Sequence, residues 1–191
     1  ELHQLYLNRA AEFLREHANQ PMEYFVETGV GNGTGLAAAA QVFERCFSVE
    51  IDERYFKSAA KAFARHANVS IYLNSSPAWI AAFGDVLKEK SVTFWLDAHY
   101  GGKGEAPEVE CPLLAELDAI LAIKWRNDPV ILIDDAYYFG VGRFWSTGKA
   151  RPYTRSKWPT EAEIKARLAD YKMDVLWQKG RPKVLKFTVA F

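Results

Sequence analysis

Residues 25–35 read Phe-Val-Glu-Thr-Gly-Val-Gly-Asn-Gly-Thr-Gly, a short apolar run that ends in a carboxylate and opens into Gly29, Gly31, Gly33 and Gly35 on alternate positions. Glycines in such a ladder let the backbone turn tightly and let a ligand approach closer than a Cβ would permit. An Ala-rich stretch of helical character follows, and a second apolar run, Cys46-Phe-Ser-Val, ends in Glu50. Glu50 falls roughly 20 residues after the first glycines, the distance at which a nucleotide-binding βαβ unit places its ribose-binding acid. Strand, acid, glycine ladder, helix, strand and second acid in this order predict a nucleoside-cofactor site. The plainer alternative is a flexible loop with Glu27 capping a turn.

The dinucleotide fingerprint G-x-G-x-x-G/A fits neither frame, because its last position is Thr34 when counted from Gly29 and Leu36 when counted from Gly31. A pyrophosphate docks on the N–H groups and positive end of the helix after such a loop, and an acid just upstream repels it. S-adenosylmethionine carries an ammonium and a sulfonium instead, and a carboxylate at Glu27 suits both. Glu50 would accept hydrogen bonds from the ribose hydroxyls.

Working outward, 191 residues are expected to form a single domain over 1–191. Lys plus Arg and Asp plus Glu both number 24, so the net charge of +0 supplies no global attraction to nucleic acid or anionic lipid. Neither nucleic acid nor membrane is therefore expected as a partner, and no apolar stretch is long enough to span a bilayer. The two cysteines, Cys46 and Cys111, lack metal-ligand spacing and read as reduced thiols of a cytoplasmic protein. The first residues carry neither the basic start nor the apolar run of a signal peptide. A homodimer is among the assemblies the sequence allows.

Residues 2–19 pattern as an amphipathic helix within an N-terminal segment 1–20, after which strands and helices alternate. Strands are expected at 23–28, 46–51, 69–73, 92–97, 129–134, 173–177 and 184–190, most without polar alternation, as in a parallel sheet covered on both faces. Helices are expected at 53–66 behind an Asp52 cap, at 77–89 from Ser76 and Pro77, at 112–124 from Pro112, and at 161–170 behind a Thr160/Glu163 capping box. The fold class is thus α/β: a doubly wound, mostly parallel seven-stranded sheet, closed by an antiparallel C-terminal hairpin over the short connection Gln178–Lys183. Residues 136–160 break the rhythm. They contain no acid and mix cations with aromatics, which predicts a lid or acceptor-binding loop.

In open α/β sheets, ligands sit beyond the carboxyl ends of the strands. Four expected strands end in acids: Glu27, Glu50, Asp97 and Asp134, the last followed by Asp135. Three carboxylates converging beside a cofactor repel one another unless a cation sits between them, and hard oxygen ligands select Mg²⁺, Ca²⁺ or Mn²⁺. The alternative is that Asp97 and Asp134 cap turns while Asp135 faces water.

On Phe25-Val-Glu-Thr-Gly-Val-Gly-Asn-Gly33 and Ser48-Val-Glu50-Ile-Asp52, the chain resembles class I S-adenosylmethionine-dependent methyltransferases. Within that class, Phe94-Trp-Leu-Asp97-Ala-His99 and Ile131-Leu-Ile-Asp134-Asp135 are similar to the metal-dependent O-methyltransferases of the catechol and sugar-modifying type. The resemblance covers roughly residues 22–138. It implies O-methylation of a small-molecule hydroxyl, S-adenosylmethionine bound by Glu27, Gly29, Gly31, Gly33, Glu50 and Ser76, and Mg²⁺ held by Asp97, Asp134 and Asp135. Two departures stand out: Tyr100 takes the place of a lysine three positions after the first metal acid, and Asp135 replaces the usual Asn.

His99, two residues past Asp97, is the candidate general base, since imidazole titrates near neutral pH. It could equally be a loop histidine bonded to backbone. Lys103 could reach the same place from the Gly101-Gly102 hinge, and Tyr100 could stack on an acceptor or pack under the loop. Ser75 and Ser76 lie where relatives contact adenine, but Ser76 could instead cap its helix. Glu108 and Glu110 read as a solvated acidic turn. Arg143, Trp145, Lys149, Arg151, Tyr153 and Arg155 could clamp an anionic, aromatic or sugar-like acceptor. A nucleic-acid methyltransferase and a non-catalytic cofactor-binding scaffold are the competing functions.

Overall fold

The computed structural model describes residues 2–100, 108–140 and 158–189. In chain order the elements are α1 (Leu2–His17), β1 (Tyr24–Thr28), α2 (Thr34–Ala39), β2 (Arg45–Glu50), α3 (Glu53–Ala62), β3 (Val69–Leu73), α4 (Ser76–Leu87), β4 (Val92–Leu96), α5 (Leu113–Leu121), β5 (Val130–Ile133), a 3₁₀ turn (Ala136–Phe139), α6 (Glu161–Arg167), β6 (Tyr171–Gln178) and β7 (Arg181–Val189). The seven strands form one sheet in the order β3-β2-β1-β4-β5-β7-β6, with only β7 running against the others. The expected doubly wound sheet and antiparallel hairpin are both present.

Successive residues of the central strands face opposite sides, so each strand feeds two cores. Phe25, Cys46, Val130 and Leu132 join Leu36, Ala39 and Leu14 on the face covered by α1, α2 and α3. Val26, Phe47, Phe94, Ile131 and Ile133 join Trp79, Ile80, Leu117 and Ile164 on the face covered by α4, α5 and α6. Burial on both faces is why these strands read as continuous apolar runs.

The helix starts follow side-chain chemistry. Asp52 caps α3 by accepting from the Arg54 N–H at 2.8 Å. Thr160 and Glu163 form the full capping box of α6. At α4 the cap is one residue earlier than expected: Ser75 accepts from the Ala78 N–H, and Ser76 is the first helical residue.

The hairpin connection is also tighter than expected. Lys179 and Gly180, with φ of 51° and 74°, close β6 to β7 in two residues, the primed-turn geometry that matches strand twist. Pro182 lies inside β7 opposite Trp177, where a register irregularity between Leu176 and Trp177 absorbs its missing N–H.

The segment expected as a loop from 136 begins as a buried 3₁₀ turn, with Ala136, Tyr137, Tyr138 and Phe139 all in the core beside Trp158. Arg143, Trp145, Lys149, Arg151, Tyr153 and Arg155 lie outside the described residues, as does Lys103. Among the described residues, no helix is long and apolar enough to cross a membrane.

Candidate functional site

Four adjacent parallel strands, in the order β2-β1-β4-β5, bring Glu50, Glu27, Asp97 and Asp134 to one edge of the sheet. The glycine ladder crosses this edge between β1 and α2. Gly29, Gly31 and Gly33 have φ of 80°, 49° and 76°, a left-handed backbone that residues bearing a Cβ adopt at a cost. At Gly29 a Cβ would come within 3.0 Å of the Ala98 Cα and 3.2 Å of the Asp97 carbonyl oxygen, so the turn presses against the end of β4. At Gly31 a Cβ would meet nothing within 4 Å, which leaves the space above that peptide open.

Glu50 fastens the turn to the tip of β2. One carboxylate oxygen accepts from the Val30 N–H at 3.1 Å, and the other accepts from the Asp52 N–H at 2.8 Å. Each oxygen keeps acceptor capacity for a further donor, as a ribose-binding acid requires. Ile51, directly after it, is 75% exposed, an uncovered apolar surface beside the same cleft.

Glu27 lies beneath the turn and is 3% exposed. Its carboxylate accepts from the Ser48 hydroxyl at 2.6 Å, and a Cβ on Gly35 would stand 2.7 Å from its Oε1. Burial drives its pKa up to about 8, while the Ser48 hydrogen bond opposes the rise. At neutral pH Glu27 is therefore mostly uncharged and braces the loop from below.

Ser76 is likewise turned inward. It is buried, and its hydroxyl is hydrogen-bonded to Glu116 of α5. Glu116 is 1% exposed, with a pKa raised by burial to about 7 against hydrogen bonds from Ser76 and Thr28. It locks the start of α4 and the end of β1 to α5. Nothing in the cofactor motif pointed to Glu116, but its place on the apolar stripe Leu113, Leu117 and Ile120 marks an acid on a buried face. Glu110 is also buried rather than solvated, and its carbonyl oxygen accepts from the Tyr100 N–H at 2.7 Å.

The second half of the site is a ring of charges. His99 Nε2 lies 3.5 Å from Asp97 Oδ1 and 3.6 Å from Asp135 Oδ2, with Trp158 packed on its ring at 4.9 Å between centroids. Burial alone would depress the imidazole pKa, but hydrogen bonding with Asp135 and Asp97 carries it to about 10. His99 thus holds its proton at neutral pH and stands there as a cation.

Lys183, from β7, completes the ring. Its ammonium sits 2.6 Å from Asp134 Oδ1 and 2.6 Å from Asp135 Oδ1. Burial works to raise the Asp135 carboxyl, yet the hydrogen bonds from His99 and Lys183 leave it at about 2. Asp134 moves the other way, raised by burial and by Asp97 despite Lys183. Asp135 itself adopts a left-handed backbone, φ 52°, and donates its N–H to Asp134 Oδ1 at 2.6 Å, which turns the two carboxylates toward Lys183.

Lys183 escaped the sequence reading because its place depends on register. Ile133 pairs with Leu185 across β5 and β7, and continuing that antiparallel register two residues beyond the strand end sets Lys183 opposite Asp135.

This ring decides how the expected metal set fits. Ligand atoms of Asp97, His99 and Asp135 lie within 4.8 Å of one another, a cluster with His99 where Asp134 was expected. The Asp134–Asp135 pair, however, is already bridged by an ammonium, and His99 spans Asp97 and Asp135. Among the described residues, the cations that lie between the carboxylates are Lys183 and His99.

No protein-family model matches the chain, and no curated protein matches its sequence. Solved structures do share its architecture. An S-adenosylhomocysteine-bound methyltransferase from Podospora anserina is 13% identical with a TM-score of 0.63, over 100% of this chain and 78% of that one. A Staphylococcus aureus protein described as a caffeoyl-CoA O-methyltransferase is 13% identical with a TM-score of 0.61, over 96% and 82%. A Clostridium thermocellum protein described as an rRNA methylase is 10% identical with a TM-score of 0.61, over 95% of each chain. At these identities the likeness establishes the fold, which is that of the class I methyltransferases.

Proposed function

We propose that this chain is an S-adenosylmethionine-dependent methyltransferase acting on a hydroxyl group of a small molecule. The observation that carries the reading is Glu50, a buried carboxylate at the tip of β2 that pins the left-handed glycine turn and still has lone pairs for a diol. The open space over Gly31 and the exposed Ile51 beside Glu50 fit a nucleoside laid across the strand ends. The fold supports the same reading, since S-adenosylhomocysteine is bound by a neighbour of this architecture.

When bound, S-adenosylmethionine supplies a methyl group already activated by the sulfonium charge. The chain must then hold an acceptor in line and take up its proton. Asp97, about one-third exposed, is the accessible carboxylate of the ring and is assigned that role. His99 keeps its own proton. It is assigned to orienting Asp97 and to stabilising negative charge on the acceptor oxygen, rather than to acting as the base. Magnesium assistance, which the resemblance implies, has no place in this reading because Lys183 already bridges the Asp134–Asp135 pair.

Calorimetric titration with S-adenosylmethionine, S-adenosylhomocysteine and NADH tests the cofactor assignment. Saturable binding of the first two and none of the third is expected. Tight NADH binding without the sulfonium compound overturns it. Methylation of RNA is the second reading, favoured by the rRNA methylase neighbour and opposed by the net charge of +0. RNA affinity that falls steeply with salt would support it.

A further inference from the structure

We propose that Lys183 is the resident counter-cation of the acceptor rim, so that the site excludes divalent metal and takes an acceptor through one oxygen rather than chelating a vicinal pair. The inference rests on the reading of this rim as the acceptor side of a methyl-transfer site, but its test does not depend on turnover.

A metal ion bridging Asp134 and Asp135 would need an oxygen of each, and Lys183 Nζ lies 2.6 Å from one oxygen of each. Asp135 has its second oxygen directed at His99, 3.6 Å away. Asp134 Oδ1 also accepts the Asp135 N–H, so that oxygen has two donors from within the chain. The Lys183 side chain is three-quarters covered, and the residue lies at the register irregularity of β7, between Pro182 and Val184.

A coordinated divalent ion offers open positions to two neighbouring oxygens at once, which is how a metal site selects a vicinal diol. An ammonium has three N–H donors. Two point to Asp134 and Asp135, leaving one for an acceptor. The substrate class that fits is a single hydroxyl or oxyanion.

The test is titration of Mn²⁺ into the full chain, followed by loss of the free-ion electron paramagnetic resonance signal. Wild type and Lys183→Arg are expected to leave the signal unchanged. Lys183→Met, which uncovers the carboxylates, is expected to take up one equivalent at least about tenfold more tightly than wild type. S-adenosylhomocysteine binding, measured on the same samples, reports whether the cofactor half is intact and separates failure here from failure of the functional reading. Stoichiometric Mn²⁺ uptake by wild type overturns the proposal, and so does a Lys183→Met variant that binds Mn²⁺ no better than wild type. Should that variant not fold, Lys183→Gln is judged by the same two outcomes.

Discussion

Replacing Gly35 with alanine tests whether Glu27 is the floor of the cofactor loop. Gly35 is the second residue of α2, and on helix propensity alone the substitution should stabilise the protein by about 1 kcal/mol. The packing argues the reverse. The new methyl would stand 2.7 Å from Glu27 Oε1, well inside contact distance. Glu27 cannot retreat to water, since it is 3% exposed and fastened by Ser48 at 2.6 Å. Overpacking of this kind costs about 1–3 kcal/mol. The net expectation is a loss of up to roughly 2 kcal/mol once the propensity gain is subtracted. For a chain of this size that is a fall of up to roughly 8 °C in Tm. Urea unfolding of Gly35→Ala, Glu27→Ala and the double variant gives the pairwise term. A favourable coupling of about 1 kcal/mol or more is expected, because the smaller side chain makes room for the methyl. A Gly35→Ala protein more stable than wild type by the full propensity gain of about 1 kcal/mol, or additivity within about 0.5 kcal/mol, would refute the bracing role.

Three further outcomes follow from the same geometry. Glu50→Ala should weaken S-adenosylmethionine by about 1–3 kcal/mol, the usual cost of unpairing a hydrogen-bonded charged group; full-strength binding by calorimetry would remove the ribose assignment. Asp97→Asn should lower kcat by about 10²–10⁴-fold, the range for loss of a general base, while the cofactor Kd stays within a few-fold. Glu27→Gln should change how stability depends on pH. Between the unfolded carboxyl value of 4.5 and the folded value of about 8, the folded wild type retains a proton that the unfolded chain has lost, so its stability falls as pH rises. The Tm of the glutamine variant relative to wild type should therefore climb from pH 5 to pH 8 and then level off, and a flat difference in thermal melts would contradict the buried, neutral state of Glu27.

Most of the fold was legible because the physics that writes it is local. β1, β2 and β5 are apolar on consecutive residues because helices cover both of their faces, and that run survives in sequence as a visible pattern. The hairpin was legible from the short span between two apolar runs, but its length was not. Pro182 reads as a breaker until one sees that a register irregularity accommodates it. The four acids at the strand ends could be placed because a parallel sheet puts every such end on one edge. What surrounds them could not be placed. Lys183 reaches Asp134 and Asp135 only through the β5–β7 pairing, and Glu116 reaches Ser76 only through the packing of α5 on α4. Both are contacts between residues 40 or more positions apart, which no local pattern encodes. Clustered carboxylates need positive charge between them, and here Lys183 and His99 stand among Asp97, Asp134 and Asp135.

The two-residue turn at Lys179–Gly180 therefore governs more than the end of a sheet. Side chains along a strand alternate between faces, so a slip of one position in that ribbon would send the ammonium to the far side and leave Asp134 and Asp135 with His99 as their remaining cation at the mouth of the cleft. The charge balance at the strand ends is thereby tied to the spacing of a surface bend. A lesion in that bend would be felt first as altered electrostatics at the strand-end carboxylates, before any loss of the fold.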